Sequence, residues 1–236
     1  MTSRVLILTT SHDKLGETGK PTGFHWQELT DPYWALRDAG YAVEIASVSG
    51  GQPPADPGSD DGEGERPASV QRFMDDTTAM TALSNTRPAA HATPGDYDAI
   101  YLPGGHGTMW DLPYTKAVTD LIAKAWEAGA VIAAVCHGPA ALTGVELSDG
   151  TPLVKGKRVN SFTDAEERAV GLEEVVPFLL ESKLRELGAE FEGNGENFGA
   201  HVARDGRLLT GQNPASAAPL AQAIMEALKA KQAEPA

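Results

Sequence analysis

The sequence has one cysteine in 236 residues, no long apolar run and few basic residues. A single cysteine excludes an intramolecular disulfide, so the hydrophobic core must stabilise the fold, as is usual for cytoplasmic proteins. No stretch approaches the roughly 18 apolar residues that a membrane helix needs. The run from Val5 to Leu8 is too short for a signal-peptide core. We therefore expect a cytoplasmic protein that does not bind or span a membrane.

The shortage of basic residues bears on the choice of partner. The sequence has only 19 Lys and Arg residues but 33 Asp and Glu residues, which gives a formal net charge of -14. Nucleic-acid affinity depends largely on Lys and Arg side chains that neutralise phosphates. We expect no nucleic-acid partner.

Short apolar runs alternate with segments of helical periodicity, which is typical of a parallel sheet covered on both faces. A hydrophobic fraction of 41% is enough for one sizeable core, so we expect a single α/β domain over residues 1–236. The predicted strands are Val5–Leu8, Val43–Val48, Ala99–Leu102, Val131–Val135 and Leu208–Leu209. The predicted helices are one from Trp26 to before Gly40, one ending near Gly129, one over Val175–Leu187, and one from Asn213-Pro214 towards Lys229.

One region departs from this alternation. Residues 50–66 combine Pro and Gly with five acidic residues, Asp56, Asp60, Asp61, Glu63 and Glu65. Such a segment buries little apolar surface, so we expect a flexible excursion. It leads into a small helical insertion around Val70–Leu83, and the two together occupy about residues 50–90.

Cys136 follows the predicted strand AGAVIAAV and precedes His137-Gly138-Pro139. An abrupt strand-to-helix turn strains its central residue and needs small residues two positions before and after it. Ala134 and Gly138 satisfy that spacing, which matches a nucleophile elbow with cysteine as the nucleophile. We expect the helix N-terminus and His137 to lower the pKa of Cys136. The alternative is an inert, buried thiol, the commonest state of a free cysteine.

The preceding predicted strand ends in the segment LPGGHGT, which contains Gly104, Gly105 and His106. Glycines let the backbone approach a ligand, and the N–H groups of Gly105 and His137 are candidate donors to an oxyanion. No Lys-Ser/Thr pair follows, so a phosphate-binding P-loop is excluded. His106 lies beside the predicted pocket. The other histidines show no clustered ligand spacing, so we expect no metal site.

The segments LPGGHGTMWDL and AAVCHGPAAL resemble the PfpI family of the class I glutamine amidotransferase-like superfamily. Within that family, the chain is most similar to the branch of heat-shock chaperones and glutathione-independent glyoxalases. SHDKLGETGKPTGFHWQEL, GKRVNSFTDAEE and RLLTGQNPASA match in the same order, across nearly the whole chain. The resemblance implies a flavodoxin-like three-layer sandwich, usually a homodimer.

The resemblance also implies roles for individual residues. Cys136 is the nucleophile with His137 beside it, and the protonated elbow glutamate of the family falls on Glu28. The acidic partner of the histidine falls on Glu167, with Glu166 the alternative one position away. Without the resemblance, both Glu28 and Glu167 would be interpreted as solvated surface carboxylates.

The implied activity is a glyoxalase III-like lyase, of the D-lactate dehydratase type, that converts methylglyoxal to lactate without glutathione or any other cofactor. Repair of glyoxal-modified groups is a related possibility. The main alternative is a stress-response holding chaperone or a redox sensor that uses Cys136. A glutamine amidotransferase is less favoured, because the late histidine stands in His201-Val202-Ala203 without the glutamate of that family, and a protease would need room for a peptide beside the insertion.

Overall fold

The computed structural model describes residues 2–60 and 66–233. The strands are β1 (Arg4–Thr9), β2 (Ala42–Ser47), β3 (Arg87–Pro88), β4 (Ala99–Leu102), β5 (Val131–Val135), β6 (Arg158–Val159), β7 (Glu190–Phe191), β8 (Val202–Asp205) and β9 (Leu208–Gly211). The α-helices are α1 (Trp26–Asp38), α2 (Ala68–Asp75), α3 (Thr77–Ser84), α4 (Thr108–Asp111), α5 (Lys116–Glu127), α6 (Asp164–Val170), α7 (Leu180–Glu186) and α8 (Ala217–Ala233).

Seven strands form the central sheet in the order β3-β2-β1-β4-β5-β9-β8, and all neighbours are parallel except β8 and β9. Strands β6 and β7 pair separately. Successive residues of β1 pack into opposite core layers, Val5 and Ile7 into one and Leu6 and Leu8 into the other. Helices therefore cover both faces of the sheet, which confirms the predicted flavodoxin-like sandwich with a mostly parallel sheet.

The structure corrects one predicted helix. We expected a helix over Val175–Leu187, but α7 begins only at Leu180. Pro177 lacks a backbone N–H and disfavours helical conformation in the residue before it. The final helix starts as predicted at Asn213-Pro214, with a first turn of 3-10 helix, and then continues as α8 to Ala233.

The insertion contains two short helices, α2 and α3, where the sequence predicts helical structure. The segment before it is attached to the domain by hydrogen bonds. Phe24 donates its N–H to Pro54 O at 2.9 Å, and Asp56 donates its N–H back to Phe24 O at 2.8 Å. Part of the predicted excursion therefore lies along the start of α1. Residues 61–65, with three of its five acidic residues, lie outside the described part.

The strand order reverses between β1 and β4, and such switch points are where open α/β sheets bind ligands, at the carboxyl ends of the strands. Strand β4 ends immediately before Pro103-Gly104-Gly105, and β5 ends immediately before Cys136. The topology thus brings the two sequence motifs together. Among residues 2–60 and 66–233, no helix is both long and apolar enough to cross a membrane.

Candidate active site

The backbone of Cys136 forms the predicted strained turn. Its φ is 58°, in the left-handed region that side chains with a Cβ rarely adopt. A Cβ at Gly138 would lie 2.2 Å from Leu102 O, so only glycine fits two positions later. The next segment, Gly138–Gly144, is a 3-10 helix rather than the expected α-helix. Its poorer hydrogen-bond geometry weakens the helix-dipole argument for a thiolate.

His137 connects the thiol to a carboxylate. Its Nδ1 lies 3.3 Å from Cys136 Sγ, and its Nε2 lies 2.7 Å from Glu167 Oε2. A carboxylate only accepts hydrogen bonds, so the Nε2 of neutral His137 carries the proton and Nδ1 faces the thiol as an acceptor. This geometry is that of a base directed at a nucleophile by a third group.

Glu167 also contacts a second histidine. Its Oε1 lies 2.9 Å from His106 Nε2, and the rings of His106 and His137 are 4.0 Å apart. Burial alone would raise the pKa of Glu167, but the hydrogen bonds with His106 and His137 lower it to about 2. Burial and the neighbouring His106 lower the pKa of His137, and Glu167 opposes that shift. Glu167 is therefore an anion within hydrogen-bond distance of both imidazole rings, and the lowered pKa of His137 keeps that ring mostly neutral.

Glu166 has a different position from its neighbour. Its Oε1 accepts hydrogen bonds from Gln212 Nε2 at 3.0 Å, from Asn213 Nδ2 at 2.8 Å and from Phe198 N–H at 2.7 Å. Its other carboxylate oxygen closes the capping box of α6. Glu167 is thus the carboxylate that accepts the hydrogen bond of His137, whereas Glu166 fixes the loop around Phe198.

Glu28 lies in the first turn of α1 and is fully buried, unlike the solvated carboxylate that composition alone would favour. Its Oε2 accepts the N–H of Gly104 at 2.7 Å. Its Oε1 has no partner of good hydrogen-bond geometry, and the carboxyl group interacts with the Cys136 thiol. Burial raises the pKa of Glu28 to about 8, against the opposing effect of these two contacts, so Glu28 is mostly protonated at neutral pH.

The expected low pKa of Cys136 does not agree with this environment. Burial raises the pKa of the thiol, and the neighbouring carboxyl group of Glu28 raises it further, while the N–H of His137 acts in the opposite direction. The sequence argument counted the helix dipole and the histidine but not the loss of solvent. A protonated Glu28 removes the repulsion and leaves burial as the main obstacle to a resting thiolate.

The two glycines of the loop after β4, Gly104 and Gly105, have different roles. We expected Gly104 among the residues that contact a substrate, but its N–H is already bound to Glu28. A Cβ on Gly104 would lie 2.8 Å from Glu28 Oε2 and 2.6 Å from His137 N, so glycine is required for this close packing. Gly105 has a φ of 100°, and within the described chain its N–H donates to no other residue. Gly105 is thus the available donor of the pair.

A cavity of about 530 Å³ opens over this group and is lined by Cys136, His137, His106 and Gly105. Three further lining residues were not singled out from the sequence as site residues: His25, Phe162 and Phe198. Burial lowers the pKa of His25 to about 4, so this histidine is neutral. In the sequence, His25 is marked as a possible site residue only by its position three residues before Glu28.

The ligand atoms of His106, His137 and Glu167 lie within 4.8 Å of one another, a spacing that suits a metal ion. Histidine spacing in the sequence gave no indication of such a group. Each oxygen of Glu167 is already paired with one imidazole Nε2, so a cation would have to replace both hydrogen bonds. The arrangement has the form of a hydrogen-bond network that orients His137.

The fold and site together define an α/β protein with a strained cysteine, in the geometry of a nucleophile elbow, at the carboxyl edge of its sheet. The sequence pattern of the DJ-1/PfpI family matches residues 21–227. The chain belongs to the DJ-1/PfpI family.

Three relatives illustrate this membership. Glutathione-independent glyoxalase hsp3101 of Schizosaccharomyces pombe is 32% identical over 232 residues, which cover 94% of each chain. The crystal structure of glyoxalase III from Candida albicans has a TM-score of 0.88 at 29% identity and covers 95% of this chain and 97% of its own. The Rapid Encystment Protein of Francisella tularensis has a TM-score of 0.91 at 36% identity and covers 96% and 99%.

Proposed function

We propose that the protein is a cysteine-dependent, glutathione-independent glyoxalase that converts methylglyoxal-type 2-oxoaldehydes to 2-hydroxy acids. One observation carries the proposal: Cys136 Sγ contacts His137 Nδ1 at 3.3 Å, and the same histidine binds Glu167 at 2.7 Å, beside the protonated Glu28. Relatives that share nearly the full length of this chain are named for that reaction.

The first step is addition of the thiol to the aldehyde carbon. Sγ bonds to that carbon while His137 Nδ1 takes the thiol proton, and Glu167 stabilises the resulting imidazolium. The aldehyde oxygen gains the electron pair, and the N–H groups of Gly105 and His137 hold the oxyanion until it is protonated. The product is a hemithioacetal on Cys136.

The second step moves hydrogen from the aldehyde carbon to the ketone carbon. His137, neutral again once it has given its proton to the oxyanion, or Glu28 in its ionised form removes the C–H proton; the electron pair reaches the ketone oxygen through an enediol, and the same proton returns to the former ketone carbon. The first carbon is oxidised to a thioester and the second is reduced to an alcohol. Glu28 does not line the cavity, but its carboxyl group lies beside Gly104, next to the backbone on both sides of Cys136, so the Sγ–carbon bond brings the reacting carbon near it.

Hydrolysis completes the cycle. Water attacks the thioester, the carbon–sulfur bond breaks, and Cys136 recovers its proton as the carboxylate leaves. The sum is one 2-oxoaldehyde and one water converted to one 2-hydroxy acid, with no external oxidant or reductant. The homodimer, the cytoplasmic location and the single domain over residues 1–236 stay predictions beside this proposal.

The direct test is turnover of methylglyoxal by purified protein with no thiol cofactor added. We expect lactate to appear in the same amount as methylglyoxal is consumed, and added glutathione to leave the rate unchanged. Absence of lactate, or a rate that depends on glutathione, would contradict the proposal.

Glu166 and Glu167 offer a matched pair of buried carboxylates for testing the role of Glu167. We expect Glu167→Gln to lower kcat by about 10²-fold or more, because the imidazolium loses its counter-ion. Glu167 raises the pKa of His137, so its removal lowers that pKa and should move the acid limb of the kcat/KM profile to lower pH. Glu166→Gln should instead lower the thermal midpoint and leave the pH profile in place. Equal pH profiles for the two variants would remove Glu167 from the mechanism.

A further inference from the structure

The cavity above Cys136 is larger and more apolar than methylglyoxal requires. Its volume of about 530 Å³ falls in the range of roughly 300–1,000 Å³ that proteins use for drug-sized ligands. Methylglyoxal carries only a methyl group beside its two carbonyls. The lining includes the large apolar side chains Leu15, Phe162, Val170, Leu172 and Phe198. The reacting groups therefore occupy only part of the space.

Phe198 is held in an uncommon conformation in the wall of this cavity. Its φ is 62°, and in residues 2–60 and 66–233 only Cys136 shares a positive φ among non-glycine residues. Both residues line the same cavity. A strained backbone of this kind persists only where its surroundings fix it, and the buried Glu166 does so by accepting the Phe198 N–H at 2.7 Å. The loop is thus built to present this ring.

The exposed apolar side chains also concentrate here. Within the described chain, three large hydrophobic side chains are exposed, and two of them, Phe198 at 47% and Val170 at 44%, line the cavity. The third, Tyr114, lies elsewhere. Exposed apolar surface at the mouth of a pocket gains free energy when a ligand covers it.

Three aromatic side chains pack one against the next between Cys136 and the exposed ring of Phe198. The ring of His137, beside Cys136, lies 4.6 Å from that of Phe162, and the ring of Phe162 lies 6.1 Å from that of Phe198. These separations are typical of packed aromatic pairs. A substrate whose aldehyde carbon is bonded to Sγ has room for a ring or branched chain along this wall.

We propose that the site prefers 2-oxoaldehydes with an aryl or branched alkyl substituent on the ketone carbon, and that Phe198 determines this specificity. The inference rests on the proposed glyoxalase reaction. For phenylglyoxal, one substrate and one water give one mandelate and one proton. The aldehyde carbon is oxidised and the ketone carbon reduced, and the phenyl group stays unchanged against Phe162 and Phe198.

The test compares kcat/KM for phenylglyoxal and methylglyoxal. In the natural protein we expect phenylglyoxal to be favoured by about tenfold to a hundredfold, the discrimination that apolar pockets reach for a few extra carbons. Phe198→Gly removes the ring and tolerates the positive φ, and it should lower this preference by about tenfold, mainly through KM for phenylglyoxal. Phe198→Leu, which keeps apolar bulk, should retain most of it. Because ratios are compared, the different intrinsic reactivities of the two aldehydes cancel between variants.

Tyr114→Ala is the matched control, since it removes an exposed aromatic ring away from the cavity and should leave the ratio unchanged. A preference unchanged in Phe198→Gly, or equal losses for both aldehydes, would overturn the specificity proposal while leaving the glyoxalase reaction standing. Loss of aggregation suppression in Phe198→Gly with an unchanged ratio would overturn it in favour of a site for unfolded protein. Turnover of neither aldehyde by the natural protein would overturn the reaction itself.

Discussion

Replacement of Cys136 by serine is expected to lower kcat for methylglyoxal by about 10⁴-fold or more, as loss of a nucleophile does in enzymes that form covalent intermediates. The hydroxyl group is much less acidic than the thiol, and His137 alone cannot compensate for that difference. The substitution keeps the shape of the elbow, so the thermal midpoint should change little. Residual turnover within about tenfold of the natural protein would remove Cys136 from the role of nucleophile.

The same variant separates the enzyme from its main alternative. A holding chaperone binds apolar segments of unfolded proteins and needs no thiol, so Cys136→Ser should suppress aggregation as well as the natural protein does. A redox sensor would lose its response to peroxide in this variant, but it would have no methylglyoxal turnover to lose. The low exposure of Cys136, 4%, favours a small substrate over a sensor that must meet diverse oxidants.

The positions of the central strands along the chain and the place of the elbow follow from local sequence patterns. The strands Ala99–Leu102 and Val131–Val135 were predicted with their observed bounds. Short apolar runs of this length, bounded by residues that favour turns, are typical of buried strands. The spacing of Ala134, Cys136 and Gly138 likewise predicted the strained backbone at the cysteine. These features depend on residues that are close in sequence.

Contacts between distant segments could not be obtained in this way. Gly104 and Glu28 are 76 residues apart, and only the family resemblance indicated that Glu28 lies in the site. Phe198 was not identified as a site residue, since its importance depends on the hydrogen bond that Glu166 accepts from another segment. The pKa of Cys136 was expected to shift in the wrong direction because the sequence does not give the degree of burial.

Glu28→Gln is expected to lower kcat by about 10²–10⁴-fold, the usual contribution of a general acid–base group. The glutamine oxygen can still accept the N–H of Gly104, so the loop geometry is kept, but the amide can neither give nor take a proton. KM should change little, because Glu28 does not line the cavity in which the substrate binds. Turnover like that of the natural protein would leave His137 as the base for both proton transfers.

The same substitution should also change how stability depends on pH, and this readout is independent of catalysis. Glu28 has its pKa raised by burial from 4.5 to about 8, so between these values the folded protein keeps a proton that the unfolded chain has lost. The stabilising contribution of this proton is complete below pH 4.5 and is lost as the pH rises through about 8.

The free energy of unfolding of the natural protein should therefore fall relative to Glu28→Gln across this window, by about 1.4 kcal/mol per pH unit at most. Denaturant titrations of both proteins at several pH values would measure the difference. Parallel pH dependences would mean that Glu28 is ionised in the folded protein, and the proton that we assign to it would have to reside on Cys136 or His137.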